Sequence, residues 1–249
     1  MKISVITAVF NRVGTIAQAM ESVSAQTFSN AEYIVIDGAS TDGTLDIICS
    51  HQTDRMKVFS EKDSGIYDAL NKGISRSTGD VIGFMHSDDF FADEQVLARV
   101  AAAFSDKNVD AVYGDLDYVA HNDVNRVIRR WRSGIYHQSK LAWGWMPPHP
   151  TLYLRRRVFE RWGVFDTQYR IAADYDAILR YFSQGKIHAV YVPHVFVKMR
   201  LGGESNQSLS KIWLKMREDY RALCRNKVGG LMSLVCKNLS KIKQFVVSA

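Results

Sequence analysis

The stretch Val81-Ile82-Gly83-Phe84-Met85-His86-Ser87-Asp88-Asp89-Phe90-Phe91 runs an apolar segment straight into two adjacent carboxylates. Val81 to Met85 has the length and composition of a strand buried on both faces, as in a parallel sheet. His86, Ser87, Asp88 and Asp89 then fall at its carboxyl end, the edge where open α/β sheets place their ligand crevice. Two hard oxygen ligands there suit a divalent cation held against a diphosphate, since Mg²⁺ is commonly bound by one or two carboxylates plus substrate phosphates. The same residues also fit a solvated turn, with Asp93 capping a helix carried by Gln95, Val96, Leu97 and Val100. On these residues alone both readings stand.

Upstream, the same motif recurs. Ile3 to Phe10 reads as a buried first strand, Asn11-Arg12-Val13-Gly14 as a turn, and Ile16, Met20 and Val23 as one face of a helix. Tyr33 to Ile36 is a second strand, stopping at Asp37-Gly38-Ala39-Ser40-Thr41-Asp42-Gly43-Thr44 before a helix through Leu45, Ile47 and Ile48. Lys57 to Ser60 leads into Glu61 to Ile74, which reads as a polar loop entering a helix that ends near Ser77-Thr78-Gly79. Strands alternating with helices predict an α/β fold with a Rossmann-like, mostly parallel sheet and right-handed crossovers. Neither a G-x-G-x-x-G fingerprint nor a P-loop is present, so any phosphate needs another anchor.

The chain has 249 residues, of which 47% are hydrophobic, enough for a full core. Cys49, Cys224 and Cys236 lack the paired spacing of zinc or redox motifs, which favours a reducing, cytoplasmic setting. Ile3 to Phe10 is read as a strand rather than a signal peptide, and no run approaches the roughly 18 apolar residues of a membrane span. The net charge of +6 is unevenly placed. Residues 1–210 hold 23 Lys+Arg and 24 Asp+Glu; residues 211–249 hold nine and two, so the basic character belongs to the tail.

The segments ITAVFN, VIDGASTDGT, EKDSGIYDALNKGI, STGDVIGFMHSDD and AADYDAILRY follow one another in the order and spacing of family 2 glycosyltransferases. The resemblance covers residues 1 to about 205 and is nearest to the bacterial branch that builds cell-surface polysaccharides. It implies a GT-A fold, a nucleotide-sugar donor at the carboxyl ends of the strands, Mg²⁺ or Mn²⁺, and transfer with inversion. Carried over by position, it puts Thr7, Phe10 and Asn11 beside the nucleotide and makes Asp37 a partner of the base or ribose. Asp88 and Asp89 fall on the D-x-D region as metal ligands, with Asp88 also facing the donor. His86 stands where many relatives carry Asp or Asn, and it joins the donor-binding set as a departure from the pattern. Trp162-Gly163-Val164-Phe165-Asp166 resembles the family's G-x-F-D loop on the acceptor side.

Beyond the central strand, Ala111 to Asp115 reads as a strand and Tyr118 to Trp131 as a hairpin. Trp143-Gly144-Trp145-Met146-Pro147-Pro148-His149-Pro150 is dense in aromatics and proline. Trp145 and His149 there either make a platform for a sugar acceptor or pack in place. Arg155-Arg156-Arg157 reads as a solvated face rather than a nucleic-acid patch. Asp174, before a helix through Ile178, Leu179, Tyr181 and Phe182, suits an N-cap or a general base, and a helix N-terminus favours negative charge. The resemblance aligns Asp174 with the family's catalytic carboxylate, Ala173 standing where many relatives carry a second acid. His188 to Pro193 is a last strand before Val195 to Arg200, and the Gly202-Gly203-Glu204-Ser205 segment supplies no third metal ligand.

The expected organisation is a domain over 1–210 and a basic amphipathic helical tail over 211–249. Along residues 231–246, Leu231, Leu234, Val235, Leu239, Ile242, Phe245 and Val246 share one helical face flanked by Lys237, Lys241 and Lys243. Such a helix suits an anionic membrane surface, a second subunit in a homo-oligomer, or the body itself. Trp213, Met216, Tyr220 and Leu223 form an earlier face, expected to pack on the domain. The functional expectation is a metal-dependent inverting hexosyltransferase, using a UDP-hexose and a saccharide or lipid-linked saccharide acceptor, peripheral on the inner face of the membrane and without a nucleic-acid partner. The rival readings are a sugar nucleotidyltransferase and a polyanion-binding protein acting through the tail.

Overall fold

The computed structural model describes residues 1–202 and 209–246, with side chains over 1–202 and 210–239. The apolar runs become β1 (Ile3–Val9), β2 (Ala31–Asp37), β3 (Met56–Ser60) and β4 (Val81–Phe84). They lie parallel in the order β3-β2-β1-β4. α1 (Ile16–Ser24), α2 (Thr44–Ser50) and α3 (Ile66–Arg76) make the crossovers that parallel pairing requires. All four strands therefore end on one edge. Alternate residues feed two cores: Ile6, Ile36 and Phe84 face Leu70 and Ile74 of α3, while Val5 and Val35 join Ile16 and Met20 of α1.

The second half is mixed rather than parallel. β5 (Phe90–Phe91), β6 (Ala111–Val119), β7 (Val127–Trp131), β8 (Tyr153–Arg155) and β9 (Ala189–Arg200) complete one sheet with α4 (Val96–Ala103). β8 runs antiparallel to both β4 and β6, β9 runs parallel to β6 and antiparallel to β5, and β7 forms the expected hairpin with β6. Gly83 makes the β4–β8 junction: a Cβ there would lie 2.2 Å from the Tyr153 ring, so only glycine lets that buried tyrosine cross the central strand. The two expected final strands are one, running through Pro193 with a register shift opposite Tyr113 to Leu116. Proline cannot donate to the ladder, which suits an irregularity there.

Two local expectations change. Asp93 does not cap α4, whose N-cap is Gln95; it accepts the Gln95 N–H at 2.8 Å in the preceding turn. The three arginines are tethers rather than a solvated face. Arg155 ends β8 and donates to Val109 O and Phe104 O, Arg156 opens α5 (Arg156–Trp162) and donates to Gly79 O and Ser77 Oγ, and Arg157 pairs with Asp110. They gather the amino-terminal edge of the sheet, opposite the crevice.

The tail is two helices, α7 (Leu209–Arg225) and α8 (Leu231–Val246), and both dock on the body. α7 buries Glu218, Asp219, Ala222 and Leu223, not the face of Trp213, Met216 and Tyr220, which is exposed. Glu218 accepts the backbone N–H groups of Arg170, Ile171 and Ala172 at 2.8–2.9 Å. Those three amides precede α6 (Ala173–Leu179) and are left unpaired by the start of a helix, so a carboxylate from α7 completes the turn. Lys237 of α8 is buried, ion-paired to Asp219 at 2.8 Å, with Nζ 3.1 Å from the Tyr175 ring centroid. It therefore does not flank a solvent face as its helical position suggested. The side chains of Lys241, Ile242, Lys243, Phe245 and Val246 lie outside the described residues, as does the segment Gly203-Glu204-Ser205. Among the described residues no helix is long and apolar enough to cross a membrane.

Candidate active site

The crevice has two sides, divided by the end of β4. On the β1–β2 side the loops lock onto one another through short polar side chains. Asn11 adopts a left-handed backbone (φ 51°), a conformation asparagine tolerates, and it donates its N–H to Ser40 Oγ while its Oδ1 accepts from Thr41 N, both at 2.9 Å. Asp37 ends β2 fully buried, accepting from Ser60 Oγ at 2.6 Å and from Ser40 N at 3.2 Å. Thr7 is buried too. Its hydroxyl donates to Met85 O at 2.7 Å and accepts from Tyr33 at 2.9 Å, so it ties β1 to β4. Phe10 is the exposed member, 55% accessible, at the mouth.

Asp63 was not singled out by its sequence context, yet it completes this wall. A Cβ at Gly38 would lie 2.5 Å from Asp63 Oδ2 and 3.4 Å from the Phe10 ring, so glycine lets the acid and the aromatic close over the end of β2. Asp63 Oδ1 also accepts Gly65 N–H at 2.8 Å, fixing the loop that opens α3. The signal was the Asp-Ser-Gly turn alone, which carries no information about what it faces.

At the centre, the adjacent carboxylates part. Asp88 is half-buried, whereas Asp89 is 1% exposed and turns toward β9, accepting Arg200 N–H at 3.1 Å. Asp89 Oδ2 is buried without a hydrogen-bond partner, and burial, reinforced by the neighbouring Asp88 charge, pushes its carboxyl well above the usual range. Arg200 also donates to Asp88 O, pinning the turn. Among the described residues no group of three or more His, Cys, Asp or Glu side chains converges as a preformed metal cluster. The residues present fit a cation of the kind completed by phosphates: a half-buried carboxylate beside an orphaned buried oxygen.

On the far side, Asp174 lies in the first turn of α6 rather than at its N-cap, which is Ala172. Its Oδ1 accepts Tyr175 N–H at 2.8 Å and shares the one Tyr67 hydroxyl proton, at 3.2 Å, with Ile171 O at 2.6 Å. Tyr67 thus links α3 to the start of α6, and one turn on, Asn71 exchanges two hydrogen bonds with the backbone of Phe165 at 2.9 and 3.0 Å. α3 therefore braces this side of the crevice.

His149 shares a small enclosed cavity with Asp174, Phe84 and Phe165. Its ring stacks on Phe84 at 5.1 Å and meets Phe165 edge-on at 5.6 Å, with the His86 ring 5.8 Å away. Burial lowers its pKa to about 4, partly opposed by the Asp174 charge, and Nε2 is buried with no partner. His149 is therefore a neutral wall between His86 and Asp174, not an open platform. Trp145 is not a platform either. Its Nε1 donates to Ser133 O at 2.8 Å and its ring packs against Tyr113, Tyr136 and Phe182, leaving Trp143 as the exposed tryptophan of that loop.

Comparison with known proteins identifies the family of the chain. The family described as Glycosyl transferase family 2 matches residues 4–163. A PGL/p-HBAD biosynthesis glycosyltransferase of Mycobacterium bovis is 32% identical over 218 residues, covering 85% of this chain and 82% of that protein. An uncharacterized glycosyltransferase of Mycobacterium tuberculosis is 33% identical over 183 residues, covering 72% and 68%. Among solved structures, S. aureus TarS 1-349 in complex with UDP-GlcNAc superposes with a TM-score of 0.71 at 18% identity, covering 92% of this chain and 66% of that one. The mannosyltransferase PcManGT of Pyrobaculum calidifontis, in complex with GDP-Man and Mn²⁺, gives 0.68 at 17%, covering 100% and 76%. The fold is that of GT-A glycosyltransferases, and this chain is a member of glycosyltransferase family 2.

Proposed function

We propose that this chain transfers a hexose, with inversion, from a UDP-sugar to a hydroxyl of a saccharide or lipid-linked saccharide in surface polysaccharide synthesis. The observation that carries the reading is Asp174: a partly exposed carboxylate held by the Tyr67 hydroxyl, across a shared cavity from His149 and beyond it the His86–Asp89 turn. The nucleotide lies against the exposed Phe10, with Asp37 and Asp63 below it and Asn11 fixing the loop. Asp88, with the orphaned oxygen of Asp89 behind it, would hold Mg²⁺ or Mn²⁺. That cation supplies charge neutralisation for the departing diphosphate.

The acceptor enters from the α6 side. Asp174 takes its hydroxyl proton as the oxygen bonds to the anomeric carbon, and the bond from that carbon to the nucleoside diphosphate breaks on the opposite face. His149, neutral and apolar-packed, keeps water from the back of the site. A nucleotide sugar in one structural neighbour and a mannose nucleotide with Mn²⁺ in another support a donor of this class. Family membership favours sugar transfer over the nucleotidyltransferase reading.

Calorimetric titration with UDP, GDP and ADP, each with Mn²⁺ and with EDTA, tests the donor side. Metal-dependent binding of UDP alone is expected; no binding from folded protein overturns the reading. Asp174→Asn should keep UDP affinity and lower transfer by roughly 10²- to 10⁴-fold. Loss of UDP binding in that variant would remove Asp174 from the acceptor side.

A further inference from the structure

The two tail helices present outward what a soluble body buries. On α7, Trp213, Met216 and Tyr220 recur at helical spacing, and on α8 Leu231, Met232, Val235 and Leu239 do the same; all seven are 43–73% exposed. Trp143 is also exposed, at 66%, on the turn that ends at Gly144. That turn abuts α8: a Cβ at Gly144 would lie 2.4 Å from Lys237 Cα. Isolated exposed apolar side chains need no explanation, but a run over two packed helices does.

The charges decide its occupant. The tail's two acids both face inward, Glu218 on the amides of 170–172 and Asp219 on Lys237. Arg225 is paired with Asp166. What remains outward is cationic: Lys215 partly exposed and Arg217 and Lys227 exposed, while Arg221, also exposed, donates to Gln168 Oε1 at 2.9 Å and lies over the Tyr169 ring. Apolar side chains with tryptophan and tyrosine among them, bordered by cations and by no exposed acid of the same segment, match the boundary of a bilayer with anionic headgroups. A second copy of the chain would set these cations against one another.

We propose that the outer face of α7 and α8 docks on an anionic lipid bilayer. The apolar stripe enters the acyl boundary and the cations meet the headgroups, which holds the crevice near a membrane-borne acceptor. Binding requires neither donor nor acceptor, so its failure and failure of the transferase reading are separable.

Flotation of the full chain with vesicles of phosphatidylcholine alone, or with about one third phosphatidylglycerol, tests this; each cation is worth roughly fivefold at such a surface. Binding is expected only to the anionic vesicles, weakened by salt, with a blue shift of fluorescence that Trp213→Phe reduces. Lys215→Gln with Arg217→Gln should weaken it by roughly tenfold or more. Trp213→Ser with Leu239→Ser should abolish it, with UDP affinity and melting temperature unchanged. Absence of vesicle binding, equal binding to neutral vesicles, or retention in the Trp213→Ser/Leu239→Ser variant would overturn the proposal. So would a dimer in light scattering that this variant dissolves, which would assign the stripe to a second copy.

Discussion

Tyr67 and Asp174 are 107 residues apart, and a single phenolic proton joins them. Tyr67 touches no substrate in this arrangement; it positions the carboxylate and the Ile171 carbonyl before it. A buried hydrogen bond of this kind is worth about 1 kcal/mol net, so Tyr67→Phe should lower kcat roughly five- to tenfold while leaving UDP affinity intact. The readout that separates positioning from general loosening is the split between kcat and UDP affinity, since a loosened fold would lose both. His149 makes a second prediction at this scale. It is neutral in the fold, with a pKa near 4, and takes up a proton on unfolding, where the value is 6.5. The unfolded chain therefore binds more protons between those limits, and stability is full above pH 6.5 and falls as pH drops toward 4. The loss is at most roughly 3 kcal/mol. Denaturant midpoints across that range should show the slope in the wild type and lose this component in His149→Phe.

At the scale of elements, β4 is the strand on which both halves of the sheet depend. It pairs parallel with β1 and antiparallel with β8, and the crossing of Tyr153 over Gly83 sets the second contact. Gly83→Ala places a methyl into a fully buried ring with no room to yield, and overpacking of this kind costs about 1–3 kcal/mol. A lower urea midpoint is expected, accompanied by reduced UDP affinity because the His86–Asp89 turn follows the same strand. A glycine inside an apolar run signals close approach, but the partner approaching, 70 residues on, is invisible locally.

For the whole molecule, α7 belongs to the body's hydrogen-bond economy rather than to an appendage. The expected boundary at 210 falls just after α7 begins, yet Glu218 completes the entrance to α6 and Leu223 is fully buried. A chain ending at residue 210 would expose that leucine's site, worth about 1.5–3 kcal/mol, and leave three amides ahead of α6 without their acceptor, at roughly 1–3 kcal/mol each. Such a truncation should melt well below the full chain and lose transfer. Size-exclusion and thermal melting check the first, and product assay the second.

The β1 to β4 units were legible because each strand is a short run of apolar residues and each loop a cluster of small polar ones. Burial on both faces is written into consecutive side chains, whatever lies next to them. The carboxylates at the strand ends were legible for the same reason, as was the placing of Asp174 at a helix start. Three things were not. That Asp89 turns inward while Asp88 stays half-buried depends on Arg200 of β9, more than 100 residues away. That Trp145 and His149 are packed depends on Tyr113, Tyr136 and Phe182 closing on the one and Phe84 and Phe165 on the other. That Lys237 is buried depends on Asp219 and the Tyr175 ring. Periodicity records which face of an element is apolar, whereas polar pairing is fixed by how elements cross. A buried acid or lysine is stable only where that crossing supplies its partner.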